Sequence, residues 1–558
     1  MNASGPAVSP SSARGSSMSG SATSGSSAPG LRTALTRLRV PRRPVNLARQ
    51  AVLRLANVGL TGAYAAYRVH PAVWRFTARH YRPEMERFAK LNAWMICQNA
   101  SLDVPAYQDH LARNDFEFRW WDLANYTPTS KDEYVRMYAE DDRCWHGRIE
   151  TVGTVVDESS GSSGTPFNWM RSKNELRTVH KNVAGYVTLL FGSRDLFCIN
   201  AFSMGAWATG TNTGQAMSKI AMVKNTGPDL TKILDTMRHF GPRFTYLISA
   251  YPPFLKHIVD AMDAEPEYWD RYRMNGFVGG EAMTEGLRDY VERRFDRVYS
   301  GYGASDLTIG MAGESDLSVT IRRALSEDPA FRAELLGAHE SRVPMVFQYN
   351  PLETYLETTE DHELVVTINS RSVMSPRLRY NIGDEAKLVD FPTMVALTRK
   401  YPEIAAACSA AFREQRMRLP FVLLFGRADS TISYMGANIY PLDVENGLYR
   451  NNPWAHLLDG FRIELTDIGA LENRPTIHVH LREDAPLTGH EAVDTDALAA
   501  RISAGVVEHL ASVSRDFAQS LEEDPTTADI RVEVHPHGTG PFAEATGKIK
   551  NVYLVKKD

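Results

Sequence analysis

The chain has 558 residues, of which 43% are hydrophobic and 10% aromatic, enough for a large buried core spread over roughly two to four domains. Its net charge is -5, yet residues 1–83 contain twelve arginines and no lysine, aspartate or glutamate, so the body of the chain is acidic and is not expected to bind nucleic acid. The cysteines, Cys97, Cys144, Cys198 and Cys408, form no CxxC pair, which argues against structural zinc and against a disulfide framework.

The start of the chain is rich in serine, glycine and arginine. Residues 1–48 are predicted to be a disordered basic tail. The apolar residues 55–67 are too few and too interrupted to span a bilayer. An organellar transit peptide, a basic surface that contacts anionic lipid and a plain solvated tail all fit this composition. No secretory signal is visible, so a cytoplasmic location is predicted; oligomeric state cannot be predicted.

Residues 49–150 are predicted to form the helical first part of a large domain. Ser130 is the expected N-cap of a helix, and Glu133 is expected to complete a capping box. Six aromatic residues in this part are interpreted as core: Trp94, Tyr107, Phe116, Phe118, Trp120 and Trp121.

The segment ESSGSSGTP, residues 158–166, follows an apolar run at residues 151–156 and precedes a helical pattern that begins near Ser172. Glycines let the backbone approach an anion and small hydroxyls donate to it, so a strand–loop–helix phosphate site is predicted. A flexible surface loop is the alternative. The chain has no GxxxxGK motif followed by Ser or Thr, so a phosphate-binding lysine has to come from elsewhere.

Short apolar runs alternate with helical stretches through residues 151–426, which predicts an α/β core with mostly parallel strands. Helical stretches at residues 316–336 and 393–415 interrupt this alternation as insertions. Residues 427–558 contain three strand-like runs and one long helical pattern, near residues 494–522, and are predicted to be a separate α+β domain.

Four further segments carry groups suited to a nucleotide: YSGYGASD at 299–306, RYNIGD at 379–384, FGRADSTISYMGANIYP at 425–441 and ATGKI at 545–549. An aromatic ring can stack on a purine, and Asp306 can hold Mg²⁺. Asp384, which is expected just past the end of a strand, can accept hydrogen bonds from both ribose hydroxyls. Taken singly, each segment is equally typical of a turn or a solvated terminus.

As an ordered set, these segments together with GGE at residues 279–281 resemble the ATP-dependent adenylating superfamily of acyl-CoA synthetases, amino-acid-adenylating domains and luciferases. The resemblance covers roughly residues 100–558, and the aromatic lead-in with TPTSKDEY is most similar to the phenylacetate-CoA ligase branch. It implies an α/β fold in which a large N-terminal adenylating domain carries a smaller, mobile α+β C-terminal lid domain.

The resemblance also implies roles for individual residues. The phosphate loop is Ser159, Ser160, Gly161, Ser162, Ser163, Gly164 and Thr165, and the adenine is flanked by Gly280, Glu281, Tyr302 and Gly303. Ser305 is implied to contact phosphate, Asp306 to bind Mg²⁺, and Asp384 and Arg427 to bind the ribose. Asp429 is implied to be the hinge, Gly436 to lie beside the thiol and Lys548 to be the catalytic lysine. The acid itself is predicted to lie near Phe202, Trp207 and Tyr251, whose rings are equally suited to a core role.

This chain departs from the superfamily at three positions. Phe167 stands where a lysine or polar residue usually follows the loop proline, Asp306 where the metal ligand is usually glutamate, and Asn438 where an arginine is common.

The implied reaction is activation of a carboxylic acid by ATP as an acyl-adenylate, with Mg²⁺, followed by transfer to coenzyme A. An aromatic or medium apolar acid is the first expectation. Transfer to an amine or another nucleophile, and a degenerate nucleotide-binding protein, remain alternatives.

Overall fold

The computed structural model describes residues 47–159, 167–192, 194–280, 282–283, 285–338, 340, 343–427, 432–439, 443–444, 447–448, 451–468, 472–483, 485–487 and 493–543. The chain divides into two units, residues 1–55 and residues 56–558. Of the first unit the structure describes residues 47–55, which open the helix Leu47–Tyr67. None of the described helices combines the length and the hydrophobicity that a bilayer crossing needs.

Three helices follow in the second unit, Pro71–Arg79, Pro83–Asp103 and Pro105–Arg113, and each begins with a proline, whose fixed φ suits the first turn. Beyond Arg113 the prediction of helix to residue 150 is wrong, because residues 114–148 are mostly turns around one π-helical turn, Lys131–Val135. Ser130 caps that turn as predicted, accepting the Glu133 N–H.

The aromatic residues of this region are only partly core. Trp94 and Tyr107 are fully buried, whereas Trp120 and Trp121 are 42% and 44% exposed. Both tryptophans lie in the irregular segment after the helices, where the chain runs over the surface and fewer neighbours cover a ring.

The strands on either side of the predicted phosphate loop pair with each other. Strand β1, Val155–Ser159, pairs antiparallel with β2, Phe167–Arg171, so that Ser159 is opposite Phe167. The predicted strand–loop–helix order is therefore wrong: residues 160–166 connect two strands, and the helix Lys173–Phe191 comes after β2. Ser172 sets that helix start through a capping box with Glu175.

One half of the main sheet is parallel, as predicted. Its strands are β3 Leu196–Asn200, β4 Met222–Asn225, β5 Thr245–Ala250, β6 Arg273–Gly279 and β7 Arg297–Tyr302, in the order β4-β3-β5-β6-β7. The helices between them are Ala208–Met217, Leu230–Phe240, Pro252–Met262, Pro266–Trp269 and Glu285–Val291. Ile199, Ile248 and Val278 are fully buried between these layers.

The other half is antiparallel, so the prediction of mostly parallel pairing holds only up to β7. Its strands are β8 Ala312–Gly313, β9 Met345–Tyr349, β10 Thr354–Thr358, β11 Glu363–Ile368, β12 Tyr380–Val389 and β13 Phe421–Arg427, in the order β10-β11-β12-β13-β9-β8-β7. The predicted insertions are pairs of helices, Asp316–Glu327 with Pro329–Leu336 and Phe391–Thr398 with Pro402–Gln415.

The last part of the chain has its own sheet and core. Its elements are the hairpin β14 Ile432–Tyr434 with β15 Ala437–Ile439, the sheet β16 Leu458–Ile468, β17 Glu472–Leu481 and β18 Arg531–His535, and the helices Thr495–Val513 and Arg515–Glu523. The predicted single long helix breaks at Ser514, whose side chain caps the second helix by accepting the Phe517 N–H. The α/β body with a smaller α+β part is confirmed.

Candidate functional site

Tyr302 and Asp384 come together across the main sheet. The Tyr302 hydroxyl at the end of β7 donates a hydrogen bond to the Asp384 carboxylate in β12, and its ring is stacked on Phe347 with centroids 5.8 Å apart. In register, Asp384 is directly opposite Arg427 of β13. The predicted adenine and ribose groups are therefore neighbours. Asp384 lies inside a strand, not past its end as predicted, because β12 extends through the Gly–Asp pair with a positive φ at Gly383.

Asp306 lies in the turn after β7 and is held by three partners. The Tyr380 hydroxyl donates to its Oδ2 at 2.7 Å, and the Lys131 Nζ lies 3.8 Å from the same oxygen. The Arg377 Nε donates to its backbone carbonyl at 2.5 Å. The carboxylate is 15% exposed, so it combines a fixed orientation with access for one further ligand.

Lys131 is the functional candidate that sequence reasoning missed. Its ammonium group lies 6.0 Å from the centre of the Phe167 ring and close to Asp306, and it is 29% exposed. The buried Arg143 also lies over Phe167, at 5.5 Å. The requirement for a lysine from outside the loop was visible in the sequence. Which lysine meets this requirement could not be predicted, because no sequence pattern relates residue 131 to residue 167.

The base of the hairpin is tied to the turn that carries Ser305. Arg171, which is buried, donates to the backbone carbonyls of Ser305 and Leu307, and it forms ion pairs with Asp157 at 3.5 Å and Glu175 at 3.2 Å. A buried arginine that bridges two backbone segments fixes their separation.

The turn itself requires a glycine at position 303. A Cβ on Gly303 would lie 2.8 Å from the Thr308 carbonyl oxygen, closer than side-chain and backbone atoms approach. This predicted adenine-side residue therefore sets the tightness of the turn that presents Ser305 and Asp306.

Tyr251 connects the predicted acid, adenine and thiol groups. Its ring packs edge-on against the buried Phe202, with centroids 5.4 Å apart. Cβ atoms built on Gly280 and Gly436 would lie 2.6 Å and 3.1 Å from the same ring, and both glycines have positive φ. Only glycine gives a tyrosine this approach at those backbone angles. Trp207 points elsewhere, donating its Nε1–H to Gln519 Oε1 at 2.6 Å.

The helix Arg515–Glu523 and its C-cap Asp524 make polar contacts with residues that lie between the strands of the parallel half of the main sheet. Besides the bond from Trp207 to Gln519, the Ser203 hydroxyl lies 3.1 Å from both carboxylate oxygens of Glu523, and His257 Nε2 lies 3.2 Å from Asp524. Burial raises the pKa of the Glu523 carboxyl.

Several predicted site residues lie outside the described ranges or are described only in part. Outside them are Ser160, Gly161, Ser162, Ser163, Gly164, Thr165, Glu281, Asp429 and Lys548; for Ser159 and Arg427 only the strand position is described. Their assignments stay predictions.

Comparison with solved structures finds chains of similar fold. A 2-hydroxyisobutyryl-CoA ligase in complex with 2-HIB-AMP and CoA, in the thioesterification state, matches with a TM-score of 0.52 over 85% of this chain and 89% of that chain, at 15% identity. A malonyl-CoA ligase with methylmalonyl-CoA and AMP bound matches with a TM-score of 0.38, covering 69% and 71% at 14% identity.

An amide bond synthetase from Marinactinospora thermotolerans matches with a TM-score of 0.33, covering 70% and 67% at 16% identity. No family model matches the chain, and no curated protein matches it in sequence. The fold implied by the resemblance to the adenylating superfamily is confirmed.

Proposed function

On this fold, we propose that the chain activates a carboxylic acid with ATP, forming an acyl-adenylate and pyrophosphate, and then transfers the acyl group to coenzyme A. One observation carries the proposal: Tyr302 at the end of β7 contacts Asp384 in β12, the strand whose first residue, Tyr380, holds Asp306. These groups, predicted separately from segments about eighty residues apart, meet at one place. The 2-hydroxyisobutyryl-CoA ligase, whose structure holds an acyl-adenylate and CoA, supports it.

In the first step a carboxylate oxygen of the acid attacks the α-phosphorus of ATP in line. The new O–P bond forms as the bond to the β-phosphate oxygen breaks, and pyrophosphate leaves. The protein contributes by aligning two anions and offsetting their charge. In this chain the loop of residues 159–165 supplies hydroxyl and amide donors, Lys548 supplies a cation, and Asp384 positions the ribose.

Asp306 fits a Mg²⁺ ion. Mg²⁺ binds through one or two carboxylates with phosphate oxygens and water, and Asp306 is an oxygen donor whose described side-chain contacts fall on one of its two oxygens. The ion would neutralise charge on the phosphates. The chain's own residues orient the carboxylate, through Tyr380, and keep it near the ammonium of Lys131.

Lys131 supplies the positive charge that is missing at Phe167, the position after the loop proline. Replacing Lys131 tests this role. We expect Lys131→Met to lower acid-dependent pyrophosphate release about tenfold to a hundredfold and to raise KM for ATP, because a charged donor to the departing phosphate is lost. Lys131→Arg should recover a large part of the rate. If the methionine variant keeps full activity, Lys131 only pairs with Asp306 at the protein surface and does not act on the phosphates.

In the second step the thiol of coenzyme A attacks the acyl carbon, the C–S bond forms and AMP leaves with the carboxyl oxygen. We assign the described arrangement to this step because Gly436, the proposed thiol-side residue, and Gly280, the proposed adenine-side residue, both lie against the Tyr251 ring. The contacts of Trp207, Ser203 and His257 with the helix Arg515–Glu523 hold it. Movement about Asp429 would then bring Lys548 in for the first step.

Gln519→Leu tests that arrangement. The variant loses the bond from Trp207, which contributes about 1 kcal/mol, so we expect thioester formation to slow about fivefold with adenylate formation unchanged or faster. Glu522→Gln, on an exposed neighbour in the same helix, is the matched control and should leave both rates unchanged. Slowing of both half-reactions by Gln519→Leu would contradict the proposal.

The acid is proposed to lie against Tyr251 and Phe202, which favours an aromatic or medium apolar carboxylic acid. The function as a whole is tested by measuring pyrophosphate release over a panel of aryl and aliphatic acids, with coenzyme A, with amines, or with neither. Release that needs an acid and is accelerated by coenzyme A supports the thiol ligase. Acceleration by amines alone identifies an amide-forming ligase, and no release with any acid contradicts enzymatic function.

We also propose that the C-terminal domain begins at residue 427, that the enzyme is of the phenylacetate-CoA ligase-like subtype and that it acts in the cytoplasm. Residues 1–48 are proposed to form a basic tail.

A further inference from the structure

The C-terminal sheet carries a group of histidine and glutamate side chains that the proposed reaction does not use. His478 in β17 is directly opposite Glu533 in β18, and His535 follows two residues later on the same face of the sheet. Glu464 of β16 contacts His478 from the other side. Three strands thus contribute imidazole and carboxylate groups to one place.

Three potential ligand atoms in this group have the spacing of a tetrahedral metal site. His478 Nδ1 lies 3.0 Å from His535 Nε2 and 3.4 Å from Glu533 Oε2, and the remaining pair, His535 Nε2 and Glu533 Oε2, is 3.8 Å apart. Tetrahedral zinc with bonds of about 2.0 to 2.1 Å separates its ligand atoms by about 3.3 Å. The three atoms need to move only a few tenths of an ångström to share one ion.

The neighbouring residues orient both imidazole rings so that His478 Nδ1 and His535 Nε2 face the proposed metal position. His478 Nε2 lies 3.1 Å from Glu464 Oε2, which keeps the proton on Nε2 and leaves the Nδ1 lone pair facing the other ligands. The His535 ring is packed on Gly540, where a Cβ would lie 2.4 Å from Nδ1, so Nε2 is the nitrogen turned inward.

We propose that His478, His535 and Glu533 bind one divalent transition-metal ion, with Zn²⁺ the best match to two imidazoles and a carboxylate. The His478 side chain is 7% exposed and Glu533 is 34% exposed, so the ion enters from the Glu533 side and keeps a water as its fourth ligand. The ion joins β17 to β18, the last strand before the TGK segment. This site is independent of the proposed function.

A neighbouring histidine group provides a contrast. His480 accepts the Gly538 N–H at Nε2 and lies 3.0 Å from Asp459 through Nδ1, which therefore carries the proton. Both nitrogens of His480 are used, so its group with Asp459 and the exposed His537 is not expected to hold the ion.

The test uses the full-length protein after removal of metal with a chelator. Calorimetric titration with Zn²⁺ alone should give one site per chain, and Co²⁺ should give the intense visible absorption of a tetrahedral centre. His478→Gln and His535→Gln should each abolish that absorption and lower Zn²⁺ affinity about a hundredfold or more. Glu464→Gln, which alters only the support of His478, should lower affinity about tenfold.

His537→Gln is the matched control and should bind Zn²⁺ as the unaltered protein does. Circular dichroism of the metal-free variants separates loss of a ligand from loss of the fold. The proposal is overturned if the protein binds no Zn²⁺ at a single site, if folded His478→Gln and His535→Gln bind it unchanged, or if His537→Gln is the variant that loses it.

Discussion

Lys548→Ala is expected to reduce acid-dependent pyrophosphate release a hundredfold or more while leaving the midpoint of thermal unfolding nearly unchanged. The resemblance to the adenylating superfamily implies that Lys548 supplies the point charge that offsets the developing negative charge on the phosphates. Loss of one well-placed donor of this kind raises the barrier by about 3 to 4 kcal/mol. Lysine side chains are almost never fully buried, so replacing one is expected to change the stability of the fold little.

Lys550, two residues after Lys548, provides a matched control. Lys550→Ala removes the same charge from the same segment, so it should preserve the rate if Lys548 acts by position and not by general electrostatic attraction. A pre-formed acyl-adenylate should still be converted to thioester by Lys548→Ala, because that step does not need the lysine. Unaltered pyrophosphate release in Lys548→Ala, or an equal loss in Lys550→Ala, would remove Lys548 from the catalytic role.

Local patterns predicted the alternation of strands and helices in the parallel half of the main sheet but not how the other strands pair. The strand β3 and the helix Leu230–Phe240 belong to that alternation, because each is specified by neighbours in sequence. The antiparallel half depends on contacts such as β13 between β9 and β12, which join residues far apart in the chain. The strand β2 was missed because Phe167–Arg171 is too short for its alternation to be distinguished from the start of the following helix.

The same distinction separates the site residues that could be predicted from those that could not. Asp306, Asp384 and Tyr302 stand in compact motifs, and the structure brings Tyr302 to Asp384. Lys131 is recognised as a site residue only from its proximity to Asp306, which is distant in sequence. The histidines of β17 and β18 were missed for the same reason: cysteine spacing argued against structural zinc, and no spacing rule covers ligands brought together by a parallel strand pair.

The strand β7, which ends at Tyr302, is held by the buried ion pair between Glu314 and Arg288. Glu314 and Arg288 are both fully buried, and the two carboxylate oxygens of Glu314 each lie 2.8 Å from Arg288 Nη2. Glu314 also accepts the backbone N–H of Ser300 in β7 at 2.7 Å. Burial by itself would lower the pKa of the Arg288 guanidinium, but the attraction of Glu314 and Glu285 outweighs it, and the pKa is raised.

Glu314→Gln should therefore destabilise the large domain by about 3 kcal/mol, because among the described residues it leaves the buried Arg288 only Glu285 as a charged partner at hydrogen-bond distance. Asp289→Asn is the matched control: its carboxylate pairs with Arg323 and is 64% exposed, so the same carboxyl-to-amide change should cost less than about 1 kcal/mol. Denaturant unfolding followed by the fluorescence of the large domain measures both. Equal losses in the two variants would mean that burial does not set the strength of this pair, and a stable Glu314→Gln with normal pyrophosphate release would mean that the end of β7 is held by the strand pairing alone.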